Sequence, residues 1–153
     1  WYKQLLENVE TGDQLQSSHP AGTFTLDKNS PAVFLAGGIG ITPFRSMVKY
    51  AIDNKLTTPI LLIYSNADEN FLFKKELDQW QKSYSPLQII YVGTTLEGRL
   101  NKDKLQQLLS PVTTLPPIYY LAGPPKMVND FKDILLKLNI DRVNIRTDEF
   151  TGY

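Results

Sequence analysis

The stretch VFLAGGIGITPF, Val33–Phe44, closes an apolar run with three glycines in four positions and sets a proline close behind them. It decides the fold, because it marks the passage from a buried strand into a helix. Residues 32–36 (AVFLA) are apolar at successive positions, as in a strand covered on both faces. Phe44, Met47, Val48, Ala51 and Ile52 then fall at i, i+3, i+4, i+7 and i+8, one stripe of a helix. Pro43 suits the start of that helix, where its missing N–H costs nothing, and Thr42 is expected to be the N-cap. Glycines here let backbone N–H groups approach an anion with no Cβ in the way, and a helix N-terminus adds about half a positive charge. The spacing leaves two readings open, a phosphate loop and a tight structural turn. The loop is not the standard dinucleotide fingerprint: counted from Gly38, the third glycine position holds Pro43.

The same alternation continues outward. Short apolar runs recur at 60–64 (ILLIY), 87–92 (LQIIYV) and 118–122 (IYYLA), with a weaker one at 143–147 (VNIRT). Helical stripes lie between them: Phe73, Leu77, Trp80 and Tyr84; Leu105, Leu108 and Leu109; Met127, Phe131, Ile134, Leu135 and Leu138. Strand–helix alternation of this kind predicts right-handed crossovers and an α/β fold, a doubly wound five-stranded parallel sheet with helices on both faces. In the order 3-2-1-4-5, strands 1 and 4 are neighbours and send their helices to opposite faces. A ligand is expected at that switch point. IYYLAGPPKMV, 118–128, repeats the strand–glycine–proline–helix pattern of the first loop, so two glycine loops would flank one crevice.

Residues 11–31 (TGDQLQSSHPAGTFTLDKNSP) break the alternation. Gly12-Asp13, Pro20 and Gly22 are turn signals, and Leu15, Phe24 and Leu26 suggest short strands of an antiparallel β unit. A boundary is expected at Asp27–Pro31.

Composition narrows the chemistry. Sixteen basic residues balance sixteen acidic ones, which leaves no net field to draw nucleic acid. With no cysteine and one histidine, the chain offers no cysteine-held zinc, iron–sulfur or multi-histidine metal site. No apolar stretch is long enough for a membrane span, no signal peptide is evident, and the cytoplasm is the default location. His19 precedes Pro20 and reads as a turn residue. No nucleophile elbow or Walker lysine occurs.

AGGIGITPF (36–44), LLIYSNADENFLFKKEL (61–77), YYLAGPPKMV (119–128) and DEFTGY (148–153) together resemble the pyridine-nucleotide domain of the ferredoxin–NADP reductase superfamily. GDQLQSSHPAGTFTL, 12–26, resembles the last strands of that superfamily's flavin-binding barrel. The resemblance implies two regions, 1–30 as a barrel remnant and 31–153 as the NAD(P)-binding domain.

It also implies roles. Gly37, Gly38 and Gly40, with Ile41, Thr42 and Pro43, would hold the pyrophosphate and border the nicotinamide. Ser65 and Asn66 would face the adenosine ribose, with Arg99 near the nucleotide. Ala122, Gly123, Pro124, Pro125 and Met127 would line the nicotinamide side, and Phe150 or Tyr153 would cover the flavin. Thr42 and Phe150 would stand near the nicotinamide–flavin contact, and no acid–base residue is required. Ala122 takes the place of a cysteine common in relatives, and Ala67 that of an arginine. SNADEN, 65–70, carries two acids and no base. Asp68 or Glu69 would repel a 2′-phosphate, which favours NADH over NADPH; as an alternative, Asp68 caps the following helix.

By the same resemblance, FAD or FMN would be bound by a domain outside this chain, which lacks that domain's arginine–x–tyrosine–serine motif. The chain is therefore expected to be a domain cut from a longer flavoenzyme or a shortened gene product, with little activity alone. The expected partners are the dinucleotide, the flavin domain and an acceptor such as an iron–sulfur protein, haem, quinone or ferric chelate. Unpaired strands in 15–26 could support a homodimer. The competing reading is a nucleotide-binding or interaction module without turnover.

Overall fold

Successive apolar residues make the strands, as the sequence predicts. β1 (Ala32–Gly37), β2 (Ile60–Asn66), β3 (Leu87–Gly93), β4 (Ile118–Gly123) and β5 (Ile145–Glu149) form one parallel sheet in the order β3-β2-β1-β4-β5. The computed structural model describes residues 4, 7–16, 19, 21–110 and 115–151. The weakest strand, β5, lies two residues later than its sequence pattern suggests, because Arg142–Asn144 form a 3-10 turn first.

Side chains alternate across the pleat and divide the core in two. Phe34, Ala36, Leu62, Tyr64, Tyr120 and Ala122 face α1 (Ile41–Asp53) and α2 (Lys74–Ser83). Val33, Leu35, Leu61, Ile63, Tyr119 and Leu121 face α4 (Lys102–Leu109) and α5 (Pro125–Lys137); α3 (Thr94–Glu97) is a single turn after β3. The helix after β1 thus covers one face and the helix after β4 the other. β1 and β4 are direct neighbours, in register from Ala32 opposite Ile118 to Ala36 opposite Ala122. The switch point therefore lies at their carboxyl ends.

Among the described residues before Ala32 no strand forms, so the expected antiparallel pieces at Leu15, Phe24 and Leu26 are not found. A strand needs a backbone partner, and this stretch is held by side chains instead. Phe24 packs on Phe44 and on the edge of Tyr120, with ring centroids 5.9 and 5.6 Å apart. The Tyr120 hydroxyl accepts from Asp27 N–H at 2.8 Å, and Arg146 donates to the Thr25 carbonyl at 2.7 Å.

α2 also departs from its stripe. Phe73 is its N-cap rather than its first turn, in a left-handed conformation with φ 60°. Its ring lies against the Arg45 guanidinium, 4.9 Å away, and Arg45 holds Glu76 through two hydrogen bonds of 2.6 and 2.9 Å, joining α1 to α2. Among the described residues no helix is long and apolar enough to cross a membrane.

Candidate functional site

The first glycine loop folds as a 3-10 turn, Gly38–Gly40, that runs directly into α1. α1 therefore begins at Ile41 with Gly40 before it, and Thr42 is not the N-cap. Its hydroxyl is inside the first turn and donates to the Ile39 carbonyl at 3.0 Å. Pro43 is still within that turn, where no intrahelical acceptor awaits its missing N–H.

The two glycine loops do converge, and their glycines make the joint. A Cβ on Gly40 would lie 2.7 Å from Gly123 N and closer still to the Ala122 carbonyl. A Cβ on Gly37 would run into the Met127 thioether, with Cε at 2.6 Å. Gly123, at φ 150°, has Met127 Cε 2.8 Å from where its Cβ would be. Gly40 is thus taken up by packing between the loops, and Gly37 packs on the Met127 thioether while still lining the cleft. Gly38, at φ 53°, is the exception: its Cβ position is open, 3.9 Å from Asn66 Oδ1.

Beside this joint lies a cleft of about 440 Å³ above the carboxyl ends of β1, β2 and β3. Gly37 and Gly38 form its floor. Ser65, Asn66, Ala67 and Thr94 line one side, Arg99 and Leu100 the next, and Pro124, Lys126, Met127, Asp130 and Phe131 of the β4–α5 segment the other. Thr94 donates to the Asn66 carbonyl at 3.2 Å and Thr95 N–H to the Ala67 carbonyl at 2.9 Å, fastening the β2 and β3 ends into one wall. Ser65 is the buried polar residue here, at 8% exposure. Two cations flank the cleft. Arg99 makes no ion pair with another described residue, whereas Lys126 holds Asp130 at 3.0 Å, one turn along α5. Open backbone at Gly38, Arg99 and the start of α5 at Lys126 together favour an extended anionic ligand.

Of the residues singled out from sequence, Gly37, Gly38, Ser65, Asn66, Arg99, Pro124 and Met127 line the cleft. Ile41 and Ala122 are fully buried in the core that covers α1. Gly40 and Gly123 form the joint, and Thr42, Pro43 and Pro125 sit in the first turns of their helices. Phe150 follows β5 and donates its N–H to the Gly123 carbonyl at 2.9 Å, which sets it beside the switch point. Tyr153 lies outside the described residues. Asp68 caps no helix, since α2 begins at Lys74. Its Oδ1 accepts from Asn66 Nδ2 and from Asn70 N–H, both at 3.0 Å. Thr94, Leu100, Lys126, Asp130 and Phe131 were not anticipated. Lys126 directly follows Pro125 in the quoted AGPPK stretch, and Asp130 is its i+4 partner, so the Lys126–Asp130 pair is visible in the sequence.

Burial pushes the hydroxyls of Tyr64, Tyr119 and Tyr120 upward, and burial together with the Asp78 carboxylate does so for Tyr91. These tyrosines belong to the core under the site. Among the described residues no cluster of three or more acids or histidines is placed to hold a metal ion.

Comparison with known proteins gives one answer. The family model of the oxidoreductase NAD-binding domain matches residues 34–133. Flavohemoprotein A of Dictyostelium discoideum is 28% identical over 149 residues, which are 95% of this chain and 37% of that protein. NADH-cytochrome b5 reductase 1 of the same organism is 28% identical over 153 residues, 93% of this chain and 53% of that one. The crystal structure of the cytochrome b5 reductase domain of Ulva prolifera nitrate reductase superposes with a TM-score of 0.77 at 25% identity, covering 97% of this chain and 64% of that one. The chain thus spans about a third to a half of these two relatives. It belongs to the oxidoreductase NAD-binding domain family, the pyridine-nucleotide half of flavoenzymes of the ferredoxin–NADP reductase type.

Proposed function

We propose that this chain is the NAD(P)H-holding part of a flavoprotein reductase, with NADH as the preferred reductant. The observation that carries the reading is the joint at the switch point. Gly40 packs on Ala122–Gly123, and the cleft beside that joint joins uncovered backbone at Gly38 to the Arg99 guanidinium.

When bound, the nicotinamide supplies a hydride, and a flavin, FAD or FMN, receives it from there. The chain's own task is binding and orientation. Gly38 backbone and Arg99 would take the diphosphate, with Ser65 and Asn66 at the adenosine ribose. Gly123, Pro124 and Met127 would border the nicotinamide, with Thr42 on the α1 side. Phe150, tied to the Gly123 carbonyl, would stand between nicotinamide and flavin and exclude water. No side-chain acid or base is needed for a hydride step.

The flavin domain and the electron acceptor belong to the same proposal. The names of the relatives, flavohemoprotein and cytochrome b5 reductase, favour a haem acceptor. A cytoplasmic location is likewise proposed, as the compartment in which reduced nicotinamide cofactors are drawn on. Residues 24–27 are engaged with their own chain, so a homodimer through the N-terminal stretch would have to use the residues before Phe24, where Leu15 is exposed.

Calorimetric titration with NADH, NADPH and FMN tests the reading. Binding of a nicotinamide cofactor, displaced by ADP, is expected. FMN binding with no binding of either nicotinamide cofactor would overturn it.

A further inference from the structure

The two outer strands of the sheet are finished differently. In a parallel strand the N–H and C=O of one residue point to the same side, and successive residues alternate. Ile60 N–H donates to the Pro86 carbonyl, which sets Leu87, Ile89, Tyr91 and Gly93 of β3 facing away from β2. Most of that edge is closed. Leu87 N–H donates to the Tyr84 carbonyl at 3.1 Å, Ile89 N–H to Gln81 Oε1, and Gly93 N–H to Glu97 Oε1 at 3.3 Å. β5 has no such cover. Phe150 N–H donates to the Gly123 carbonyl, which turns the backbone of Arg146 and Asp148 toward β4 and that of Ile145, Thr147 and Glu149 outward. Ile145 N–H is held by the Arg142 carbonyl. The Ile145 carbonyl and both backbone groups of Thr147 and Glu149 have no partner among the described residues. Thr147 and Glu149 are exposed. Phe24 and Thr25 lie on Tyr120 and Arg146, over the face of the sheet rather than along this edge.

We propose that β5 pairs antiparallel with β5 of a second copy of this chain, about a twofold axis at Thr147. The inference is independent of the nucleotide reading. Charge chooses both the partner and the register. Centred on Thr147, the pair sets Arg146 opposite Asp148 of the second copy, and symmetry repeats the match. These are the non-hydrogen-bonded positions, where Cα atoms approach to about 4.5 Å. Asp148 makes no ion pair with another described residue, and the nearest carboxylate to Arg146 is Asp27 at 3.9 Å. Each Thr147 gives its N–H to the other's carbonyl, and each Glu149 N–H meets the Ile145 carbonyl opposite. A pair centred on Glu149 would set two carboxylates face to face, and one centred on Ile145 would need an N–H already given to Arg142. Pairing at Thr147 merges two five-stranded sheets into one and removes an open edge from each. β4 stands between β5 and the strands under the cleft, so the dimer leaves that cleft open.

Sedimentation equilibrium of the whole chain, from about 1 μM to about 1 mM, tests the proposal. A reversible monomer–dimer equilibrium is expected. Asp148→Arg sets arginines against each other and Arg146→Asp sets aspartates, so each alone should weaken the dimer about tenfold or more. Mixed in equal amounts, the two variants should form a one-to-one heterodimer at least as tight as the unaltered dimer, because every cross-strand pair is then of opposite charge. A variant that is merely destabilised would not recover on mixing. Thr147→Pro removes an outward N–H and leaves the ladder to β4 intact, and should also weaken the dimer about tenfold. It decides the question if a melt shows Arg146→Asp to be unfolded. A chain that stays monomeric throughout the range would overturn the inference. So would a dimer indifferent to Thr147→Pro, or two folded charge variants that fail to associate when mixed.

Discussion

Gly40 packs its α-carbon against the Gly123 backbone so closely that an added Cβ would stand 2.7 Å from the Gly123 nitrogen. This contact joins the two glycine loops at the carboxyl ends of β1 and β4. Backbone on the far side cannot swing away as a flexible side chain could. Gly40→Ala is therefore expected to lower stability by about 2–3 kcal/mol, the cost of overpacking a rigid site. For a chain of this size that is a fall of roughly 5–10 °C in melting temperature.

Gly38→Ala separates binding from stability. Its Cβ meets nothing nearer than Asn66 Oδ1 at 3.9 Å, so the direct cost is the left-handed backbone at φ 53°, about 1–2 kcal/mol. The methyl group would enter the cleft. NADH affinity should fall roughly tenfold, equivalent to about 1.4 kcal/mol. A titration and a melt on the same sample check both parts.

Arg99→Ala tests the electrostatics of the cleft. The exposed guanidinium has no ionic partner among the described residues and lines the cleft. Its removal should weaken ADP and NADH about equally, and should flatten the dependence of affinity on salt, because an exposed charge is screened. Titrations at low and high ionic strength report both slopes.

Tyr120→Phe should loosen the N-terminal stretch and spare the nucleotide site. It leaves the Asp27 N–H without its acceptor and takes one contact from Arg146, which keeps the Thr25 carbonyl. The expected cost is about 1–2 kcal/mol, read from the urea midpoint, with NADH affinity unchanged.

The tyrosines also predict a pH dependence. Burial raises Tyr64, Tyr91, Tyr119 and Tyr120 above the ordinary value of 10.0. In the unfolded chain these phenols ionise first. Their contribution to stability is therefore complete below about pH 10 and is lost as pH rises toward the folded-state values. The urea midpoint should fall between about pH 9 and pH 11, and Tyr91→Phe should lessen that fall.

Much of this was legible beforehand. Apolar runs and helical stripes report burial, and burial on two faces is what makes this sheet, so strand order and switch point followed from the sequence. The meaning of the glycines did not. AGGIG reads the same whether a Cβ is excluded by a ligand or by Met127 and Ala122, because the excluding atoms lie some 85 residues away in sequence. The cap expected at Thr42 and the alternative cap at Asp68 both fail for a local reason. The 3-10 turn moves the start of α1 to Ile41, and Phe73 delays the start of α2 to Lys74. Phe24 carries a strand-like pattern, yet its partners are rings, those of Phe44 and Tyr120.

The most direct test of the central claim is amide chemical-shift mapping of the whole chain on addition of NADH. Saturable shifts at Gly38, Asn66, Arg99 and Met127, reproduced in part by ADP at the first three, are the predicted result. Shifts confined to residues away from the cleft, or none at saturating NADH, would contradict it.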